Sequence, residues 1–373
     1  MIWVKLVILS LMDSFRKLRI LNRLAKFECE HSPDLEGCIY NAKTPKGNKP
    51  ILKVMQSTLC DKNCDYCVFR RDREDTPRLF IPPEELAKSF WELYQRGKVK
   101  GLFLSSGIYG HPEITMEKLI DTVKILREKL NYRGYVHLKL MPGVSQQTLE
   151  EAIKVADRVS MNIEAPNEKR LKDIARGKSL RRQIVPNIEQ VSKIISNYPQ
   201  KSHITQVMVG ASGETDEELL RSSEYLYRKL RLNRVYYSAF FPVKDTPMEN
   251  RPPESKEREH RLYQADFLIR NYGFSWRELP FEEGNLPQGI DPKEAWALKN
   301  PHLFPVEVNT ADMELLLRVP GIGKKGATEI IKRRKIKRLS SPVDLKGIRN
   351  LKKILNYVTL NGKYFRGEIR VLW

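Results

Sequence analysis

The chain has 373 residues, of which 41% are hydrophobic and 30% are charged. This balance is typical of a folded globular protein and excludes a disordered chain, and the length allows one large domain and one small one. Lys and Arg (66) outnumber Asp and Glu (46), which gives a formal net charge of +20. We therefore expect an anionic partner, nucleic acid before an acidic membrane surface.

The first 49 residues are predicted to form a helical extension. Asp13 and Ser14 can cap a basic amphipathic helix that ends near Phe27. The apolar run at residues 2–12 is shorter than the ~20 residues that cross a bilayer and lacks the features of a targeting signal, so no membrane association is expected. Residues 1–11 are either native or an over-extended start.

Cysteine usage indicates the redox compartment. The chain has five cysteines, an odd number, and three of them are close together, which does not suit a disulfide framework. We therefore expect a reducing compartment, the cytoplasm. Cys29 and Cys38 either ligate a second metal, approach the first metal site, or are ordinary small residues near the barrel mouth, and a second cluster is not predicted.

The most informative stretch is a CxxxCxxC loop formed by Cys60, Cys64 and Cys67. Three thiolates at this spacing can hold three irons of a cubane cluster and leave the fourth iron free to bind a small molecule. The alternative is a zinc knuckle, but zinc takes four ligands in paired spacing, and no second pair follows at that spacing.

This loop resembles that of the radical S-adenosylmethionine (SAM) superfamily, in which the open iron binds the amino and carboxylate groups of SAM. Tyr66, directly before the last cysteine, fits the resemblance, which places this ring near the adenine. The resemblance implies a [4Fe-4S] cluster, SAM, a 5′-deoxyadenosyl radical and an external one-electron reductant as a partner.

From residue 51, short β-rich runs alternate with helical segments, a rhythm typical of βαβ units and a parallel sheet. Strands are predicted at residues 51–56, 101–104, 135–141, 158–163, 204–209 and 235–240. Helices are predicted to begin at Pro82–Pro83, Thr115, Ser145, within 167–199, at Thr215 and near residue 255. Six units predict a partial, TIM-like (β/α)6 barrel over residues 50–272, with its site at the carboxyl ends of the strands.

The resemblance implies SAM contacts at these strand ends. Ser105, Ser106 and Gly107 stand where radical SAM proteins often carry Gly-Gly-Glu, and here the glutamate is absent. Lys139, on the polar face of the third strand, either meets the SAM carboxylate or the substrate, or forms a salt bridge at the barrel floor.

Two further strand ends carry the same resemblance. Asn162 and Glu164 resemble the ribose-binding pair of the superfamily; the alternative is a polar strand end that faces solvent. The next strand runs into a Gly-x-x-Gly-Glu-Thr turn, which is predicted either to contact the cofactor or to be an ordinary strand-to-helix turn with a threonine cap. Its candidate residues are Gly210, Gly213, Glu214 and Thr215.

Residues 273–309 are rich in proline, glycine and aromatic residues and are predicted to be a linker that docks rather than a free tether. Residues 310–373 contain Gly321, Ile322 and Gly323 followed by Lys324 and Lys325. This stretch resembles a helix-hairpin-helix motif, whose Gly-Ile-Gly turn directs backbone N–H groups at a phosphate while the isoleucine fills the hairpin core.

The C-terminal module is therefore predicted to be a small all-α helix-hairpin-helix domain that binds nucleic acid. A looser copy of the motif follows at residues 345–351, and residues 305–373 carry 16 basic and 6 acidic residues, half of the excess positive charge. The alternative is a hairpin that only docks protein or supports the fold.

A radical SAM barrel with a C-terminal helix-hairpin-helix resembles the DNA modification/repair radical SAM proteins. We expect an enzyme that cleaves SAM and modifies or repairs nucleic acid, DNA being favoured over RNA. The alternatives are an RNA- or tRNA-modifying radical SAM enzyme, an enzyme of a small metabolite or peptide, and a non-catalytic iron-sulphur nucleic-acid-binding protein or redox sensor. The sequence predicts neither the atom attacked nor the oligomeric state.

Overall fold

The computed structural model describes residues 39–44 and 47–365. The predicted N-terminal helix, Cys29 and Cys38 lie outside the described residues, and so do residues 1–11. Within the described ranges, no helix combines the length and the apolar character that crossing a bilayer demands.

In the described part of the chain, seven strands form one sheet, and neighbouring strands follow the order of the chain. The first pair, β1 and β2, is antiparallel, and β2 to β7 run parallel. The strands are β1 Ile39–Thr44, β2 Gly47–Met55, β3 Gly101–Ser105, β4 Tyr135–Lys139, β5 Arg158–Ser160, β6 Ser202–Val209 and β7 Arg234–Ala239. The six parallel strands are those predicted, so the partial (β/α)6 barrel is confirmed.

One difference is the hairpin made by β1 and β2. Residues 39–49 were predicted to belong to a helical extension, but Tyr40 pairs with Ile51 and Thr44 pairs with Gly47 across the turn. Gly47 has a φ of +94°, a conformation that glycine adopts without a steric penalty. The barrel sheet therefore gains an antiparallel edge strand.

Among the described residues, seven α-helices accompany these strands. They are α1 Pro83–Gln95, α2 Pro112–Lys124, α3 Gln146–Val155, α4 Glu168–Lys172, α5 Val185–Ile195, α6 Asp216–Arg228 and α7 Lys256–Tyr272. The Ser145 side chain accepts from the Thr148 N–H and caps α3 as predicted. Helix α2 begins three residues before the predicted Thr115, because His111 caps it and Pro112 occupies its first position.

The strand residues show that the two faces of the sheet differ. Between the apolar positions, β2, β3 and β4 carry Lys53, Phe103 and His137, so one face is partly polar. The alternate positions, which are in register across the three strands, are apolar and 0% exposed: Leu52, Val54, Leu102, Leu104, Val136 and Leu138. Each such side chain stabilises the fold by roughly 1.5–3 kcal/mol, and the loops at the strand ends are thereby held in place.

Contacts divide the chain into two units with a boundary in α6. One unit comprises the chain up to Glu214 together with Leu226–Glu254, and the other comprises Thr215–Tyr225 and the chain from Ser255 onward. The predicted linker, residues 273–309, folds within the second unit and contains α8, Pro292–Lys299. The predicted boundaries at residues 50, 273 and 310 remain predictions.

Aromatic packing explains why the predicted linker is ordered. Trp296 on α8 is 5% exposed and lies edge-to-face against Phe274 and Phe304, with ring centroids 5.3 and 6.3 Å away. The Arg318 guanidinium lies 4.0 Å from the centroid of the Phe274 ring. These contacts join the segment to the helix-hairpin-helix residues inside the second unit.

The C-terminal module contains α9 Met313–Arg318, α10 Lys324–Ile336 and α11 Leu351–Ile354. A three-stranded sheet, which the all-α prediction lacked, joins the module to the end of the predicted linker: β8 Val306–Glu307 lies before residue 310, and β9 Val358–Leu360 and β10 Lys363–Tyr364 lie within the module. Strands of two or three residues are too short to show an alternating pattern, so the sequence does not reveal them.

Candidate functional site

The cysteine loop follows the carboxyl end of β2, and hydrogen bonds from Thr58 fix its start to residues 77–79. The Thr58 N–H donates to the Leu79 carbonyl at 2.9 Å, and the Thr58 hydroxyl donates to the Pro77 carbonyl at 2.6 Å. The chain around the cysteines is thus held by neighbours that contain no metal ligand.

Arg78 is the main brace of this loop, and sequence reasoning missed it. Its guanidinium donates to carbonyls on both sides of the cysteines, at distances from 2.5 to 3.2 Å. The acceptors are the carbonyl oxygens of Thr58, Phe69, Arg70, Arg71 and Arg73. Only a planar donor with five N–H groups can satisfy so many acceptors, but no motif marks such an arginine in the sequence.

The three thiols lie in one electrostatic neighbourhood. Burial, together with a negative charge on Cys64, raises the pKa of Cys67 to about 12. Burial also raises the pKa of Cys64, although the positive charge of Lys178 opposes this effect. Thiolates in such a place need nearby positive charge, which the irons of a cluster provide.

The chemistry of the donor set therefore fits an iron-sulphur cluster. Cys60, Cys64 and Cys67 are free thiols. A negative charge on Cys60 raises the pKa of Cys64, and negative charges on Cys64 and Cys60 raise the pKa of Cys67. Within the described part of the chain, no set of three or more His, Cys, Asp or Glu side chains is arranged to hold a single metal ion.

Gly107 allows the end of β3 to pack directly on the cysteine loop. Its N–H donates to the Ser57 carbonyl at 2.7 Å. A Cβ at this position would lie 2.2 Å from the Leu59 carbonyl oxygen and 3.2 Å from the Cys60 Cβ, so only glycine fits. The predicted Ser105 lies beside it, and its buried hydroxyl has no hydrogen-bond partner among the described residues. Ser106 is half-buried.

Tyr66, Glu164 and Lys178 form a buried group next to the cysteines. The Lys178 ammonium donates to the Glu164 carboxylate at 2.9 Å and lies 3.4 Å from the Tyr66 hydroxyl. The Tyr66 hydroxyl is also hydrogen-bonded to the Glu164 side chain. The group thus fixes the aromatic ring that stands between two cluster cysteines.

Electrostatics keep the two ionisable members of this group charged. Burial opposes the charge on Glu164, but Lys178 and Lys139 outweigh it and lower the pKa of the carboxyl. Burial likewise opposes the charge on Lys178, and the Glu164 carboxylate outweighs it and raises the pKa of the lysine. Lys178 is a functional candidate that sequence reasoning missed, because a single lysine in a loop carries no spacing signal.

Glu164 is held in an unusual backbone conformation at the end of the fourth barrel strand. Its φ is +64°, in the left-handed region that non-glycine residues rarely adopt. Its N–H donates to the Gln206 carbonyl at 3.2 Å, and its carbonyl accepts from the Met208 N–H at 3.0 Å. Such conformations persist where the surroundings enforce them and are concentrated at functional sites.

The structure brings the other predicted strand-end residues to the same edge of the sheet. Lys139 is half-buried, and its charge acts on both Glu164 and His137. Asn162 is half-buried, and its side chain has no hydrogen-bond partner among the residues described. The contact of these side chains with SAM stays a prediction.

The Gly-x-x-Gly-Glu-Thr turn has internal bonds that the sequence did not reveal. The buried Glu214 carboxylate accepts from the Gly210 N–H and, at 3.0 Å, from the Ser212 N–H. The Thr215 hydroxyl accepts from the Glu218 N–H at 3.2 Å and caps α6. These bonds are those of a strand-to-helix turn, and cofactor contact at this turn stays a prediction.

A pocket of about 540 Å³ lies beside the cysteine loop. Four cations but only two carboxylates line it, so it suits an anionic group. The cations are Lys62, Arg70, Arg71 and Arg176, and the carboxylates belong to Asp61 and Asp65. Of the carboxylates, Asp61 accepts from the Gly110 N–H at 2.6 Å and Asp65 lies 3.9 Å from Arg70.

In the second unit, the predicted hairpin turn has the expected geometry. Gly321 has a φ of +89°, and a Cβ on it would lie 3.0 Å from Ile354. Ile322 is 1% exposed and belongs to the core of the module, whereas Lys324 and Lys325 are exposed. A hydrophobic plug beneath a turn flanked by exposed cations is what the motif requires.

The looser second copy repeats this geometry. Gly347 has a φ of +87°, close to that of Gly321, and Ile348 is buried. Arg349 stands where the first copy has Gly323, and Asn350, with a left-handed φ of +61°, directly precedes α11. The module therefore contains one regular hairpin and one degenerate copy.

Comparison with known proteins finds a family match in each of the two predicted domains. Residues 56–226 match the Radical SAM superfamily. The chain carries a radical SAM domain. Residues 304–358 match the helix-hairpin-helix motif. The radical SAM match supports the predicted cofactors, a [4Fe-4S] cluster and SAM.

The similar curated proteins are named for tRNA modification. The threonylcarbamoyladenosine tRNA methylthiotransferase MtaB of Thermotoga maritima is 29% identical over 208 residues, 54% of this chain and 46% of that protein. The tRNA-2-methylthio-N(6)-dimethylallyladenosine synthase of a Thermoanaerobacter species is 23% identical over 224 residues, 56% of this chain and 45% of that protein. The chain spans about half the length of the curated relatives it matches.

Among solved structures, the FeFe-hydrogenase maturase HydG from Carboxydothermus hydrogenoformans aligns with a TM-score of 0.48 and 15% identity, covering 59% of this chain and 51% of that one. The resemblance to DNA modification/repair proteins finds no support in these relatives. The coarser expectation remains: the helix-hairpin-helix module has a nucleic acid as its partner.

Proposed function

We propose that this chain is a radical SAM enzyme that modifies RNA, with tRNA as the first substrate class to test. The observation that carries the proposal is the loop of Cys60, Cys64 and Cys67 at the carboxyl end of the parallel sheet. When bound, the cluster and SAM supply a 5′-deoxyadenosyl radical. An external one-electron reductant and a reducing, cytoplasmic location belong to the same proposal.

The residues of the chain prepare the site for this chemistry. The three cysteines would hold the cluster, and Arg78 keeps their loop in place through its carbonyl contacts. Glu164 and Lys178 fix Tyr66 and bring a charged pair to the place where SAM would bind. Burial of this group excludes water, which protects a reactive radical from side reactions.

Two features support nucleic acid as the substrate. Residues 305–373 hold half of the excess positive charge, and the pocket beside the cysteine loop is lined mainly by cations. RNA stands first because similar proteins are named for tRNA modification. DNA is the second candidate, because the helix-hairpin-helix motif grips phosphates and carries little sequence information that would separate the two.

The first experiment tests the cofactor chemistry. Anaerobically reconstituted protein should show a cluster spectrum that SAM perturbs, and reduction should release 5′-deoxyadenosine. Cys64→Ser should abolish both signals, whereas the double variant Lys324→Ala/Lys325→Ala should cleave SAM normally. A cluster that ignores SAM would indicate the non-catalytic iron-sulphur protein instead.

The second experiment tests the substrate. Nucleoside mass spectrometry of RNA and DNA from cells with and without the protein should reveal a modified nucleoside in tRNA. A change confined to DNA would establish the second candidate. Binding to tRNA, single strands and duplex DNA should weaken steeply as salt rises, because phosphate contacts release counterions. Turnover insensitive to salt would point to a small metabolite or peptide.

A further inference from the structure

A buried lysine lies directly beneath the Gly-Ile-Gly turn of the C-terminal module. Lys293, on α8, is 6% exposed, and its ammonium donates to the Ile322 carbonyl at 2.6 Å. It also lies 4.8 Å from the centroid of the Tyr272 ring. The helix-hairpin-helix match begins at residue 304, so this lysine is not part of the motif.

Lys293 differs from its basic neighbours in having no carboxylate partner. Lys353 pairs with Glu294 at 2.6 Å, and Arg318 pairs with Glu278 at 2.5 Å. Among the described residues, no carboxylate lies within ion-pair distance of Lys293. A buried ammonium without a counterion is costly, and packing alone would be served better by an apolar side chain of the same length.

The hydrogen bond from Lys293 sets the direction of one peptide group. A trans peptide is planar, so its C=O and N–H point in opposite directions. Because the Ile322 carbonyl is drawn toward the buried lysine, the Gly323 N–H of the same peptide faces away from it. This N–H has no hydrogen-bond partner in the described part of the chain.

The backbone N–H groups that follow Gly323 differ in whether they already have a hydrogen-bond acceptor. The Lys324 N–H is already bonded to the Tyr272 hydroxyl. The N–H groups of Lys325 and Gly326, in the first turn of α10, have no backbone acceptor among the described residues. Gly323 thus adds a fixed donor to those that a helix start offers to a phosphate.

We propose that Lys293 is a positioning residue for nucleic-acid binding: it orients the Ile322–Gly323 peptide so that the Gly323 N–H meets a backbone phosphate. The phosphate in turn supplies the anion that Lys293 lacks. From the bond lengths, the ammonium and the phosphate would be roughly 7 Å apart, which is within the Debye length of ~8 Å at physiological salt. The inference rests on the proposed binding of nucleic acid.

The protonation of Lys293 supplies an independent readout. Burial lowers the pKa of Lys293 to about 7; the Asp291 carboxylate raises it, and Lys353 and Arg318 lower it. The Tyr272 ring also faces the ammonium. A bound phosphate favours the charged lysine, so affinity should fall as pH rises through about 7. Folding shows the opposite trend, because a lysine pKa depressed from 10.5 to about 7 makes the fold more stable as pH rises between those values.

The test measures binding of the full chain to a fluorescently labelled tRNA and to duplex DNA at constant salt. Lys293→Met, which keeps the length and loses the charge, should weaken binding about tenfold, equivalent to ~1.4 kcal/mol. Lys299→Met is the matched control, since it removes an exposed charge from the same helix and should change affinity less than about threefold.

Stability and pH separate a positioning role from a structural one. Lys293→Met should keep or raise the melting temperature at pH 6 while binding weakens, and its affinity should not vary with pH as that of the unmodified chain does. A melting temperature that falls together with affinity would overturn the inference. Should the variant not fold, a flat pH profile of the unmodified chain would overturn it.

The Lys324→Ala/Lys325→Ala variant separates the positioning role of Lys293 from nucleic-acid binding itself. If this variant binds weakly and Lys293→Met binds normally, the positioning role is wrong and the binding function stands. If neither variant affects binding, the proposed nucleic-acid function itself is wrong.

Discussion

Removing one member of the Glu164–Lys178 pair should destabilise the barrel strongly. The side chains are 9% and 14% exposed, and their charged atoms are 2.9 Å apart. Lys178→Met leaves a buried carboxylate whose remaining hydrogen-bond donor in the group is Tyr66. Breaking a buried pair in this way typically costs about 3–5 kcal/mol, so we expect a loss of about 3 kcal/mol in the free energy of unfolding.

Removing both charges should cost less than the single changes together. Glu164→Gln alone leaves Lys178 buried without a counterion, but the double variant Glu164→Gln/Lys178→Met leaves neither charge. We expect a coupling energy of about 2 kcal/mol in the double-mutant cycle. The exposed pair Lys124–Glu151, 2.7 Å apart and 39% and 37% exposed, is the control, and Lys124→Met should cost less than about 1 kcal/mol.

Urea unfolding with hydrogen exchange on peptides from β5 and β6 measures this effect where it arises. A chain of two units need not unfold in one step, so a single global midpoint would mix the two. Additive single variants, each within about 1 kcal/mol of the unmodified chain, would show that the pair is solvated. Such a pair would not hold the Tyr66 ring in place.

Three further changes test other parts of the structure. Gly107→Ala places a Cβ 2.2 Å from the Leu59 carbonyl oxygen, so the cysteine loop should shift. Iron analysis should then find less than half of the normal iron content, and a normal content would contradict the tight packing at Gly107. Gly321→Ala should destabilise the module by more than the ~1 kcal/mol expected for backbone strain alone, because the new Cβ also lies 3.0 Å from Ile354. Gly347→Ala is the matched control, since its Cβ meets nothing within 4 Å. Equal melting temperatures for the two variants would refute the extra effect of the Ile354 contact. Burial lowers the pKa of His203 to about 3 from 6.5, so the stability that depends on its neutral form is complete above pH 6.5 and is lost as pH falls toward 3. His203→Leu should remove this acid sensitivity, and it should stabilise the fold by about 1 kcal/mol because both ring nitrogens lack partners among the described residues. An unchanged midpoint of acid unfolding would count against this role of His203.

Repeating local patterns made the barrel predictable. Each parallel strand is a short apolar run, and some helices begin directly after a recognisable cap such as Ser145 or Thr215. The cluster cysteines are close in sequence, so they lie near one another whatever the tertiary structure. The hairpin turn is equally local, because Gly321 and Ile322 define it within two residues.

Other features depend on residues that meet only in the folded chain. The short strands β8, β9 and β10 carry no pattern of their own and form because residues 306, 358 and 363 are brought together. Glu214 has a suitable residue type for cofactor contact, yet its carboxylate is bonded within its own turn. Residue type alone cannot distinguish a ligand from a local brace.

The sequence by itself determined the six strand–helix units, the three-cysteine loop and the basic hairpin, because each of these is encoded by neighbouring residues. Only the tertiary structure brought Lys178 to Glu164, across 14 positions, and Lys293 to Ile322, across 29. Both lysines are buried beside the groups they orient, and an isolated lysine in a sequence carries no sign of burial. Long-range packing decides which charges are desolvated, and desolvation makes these two lysines important.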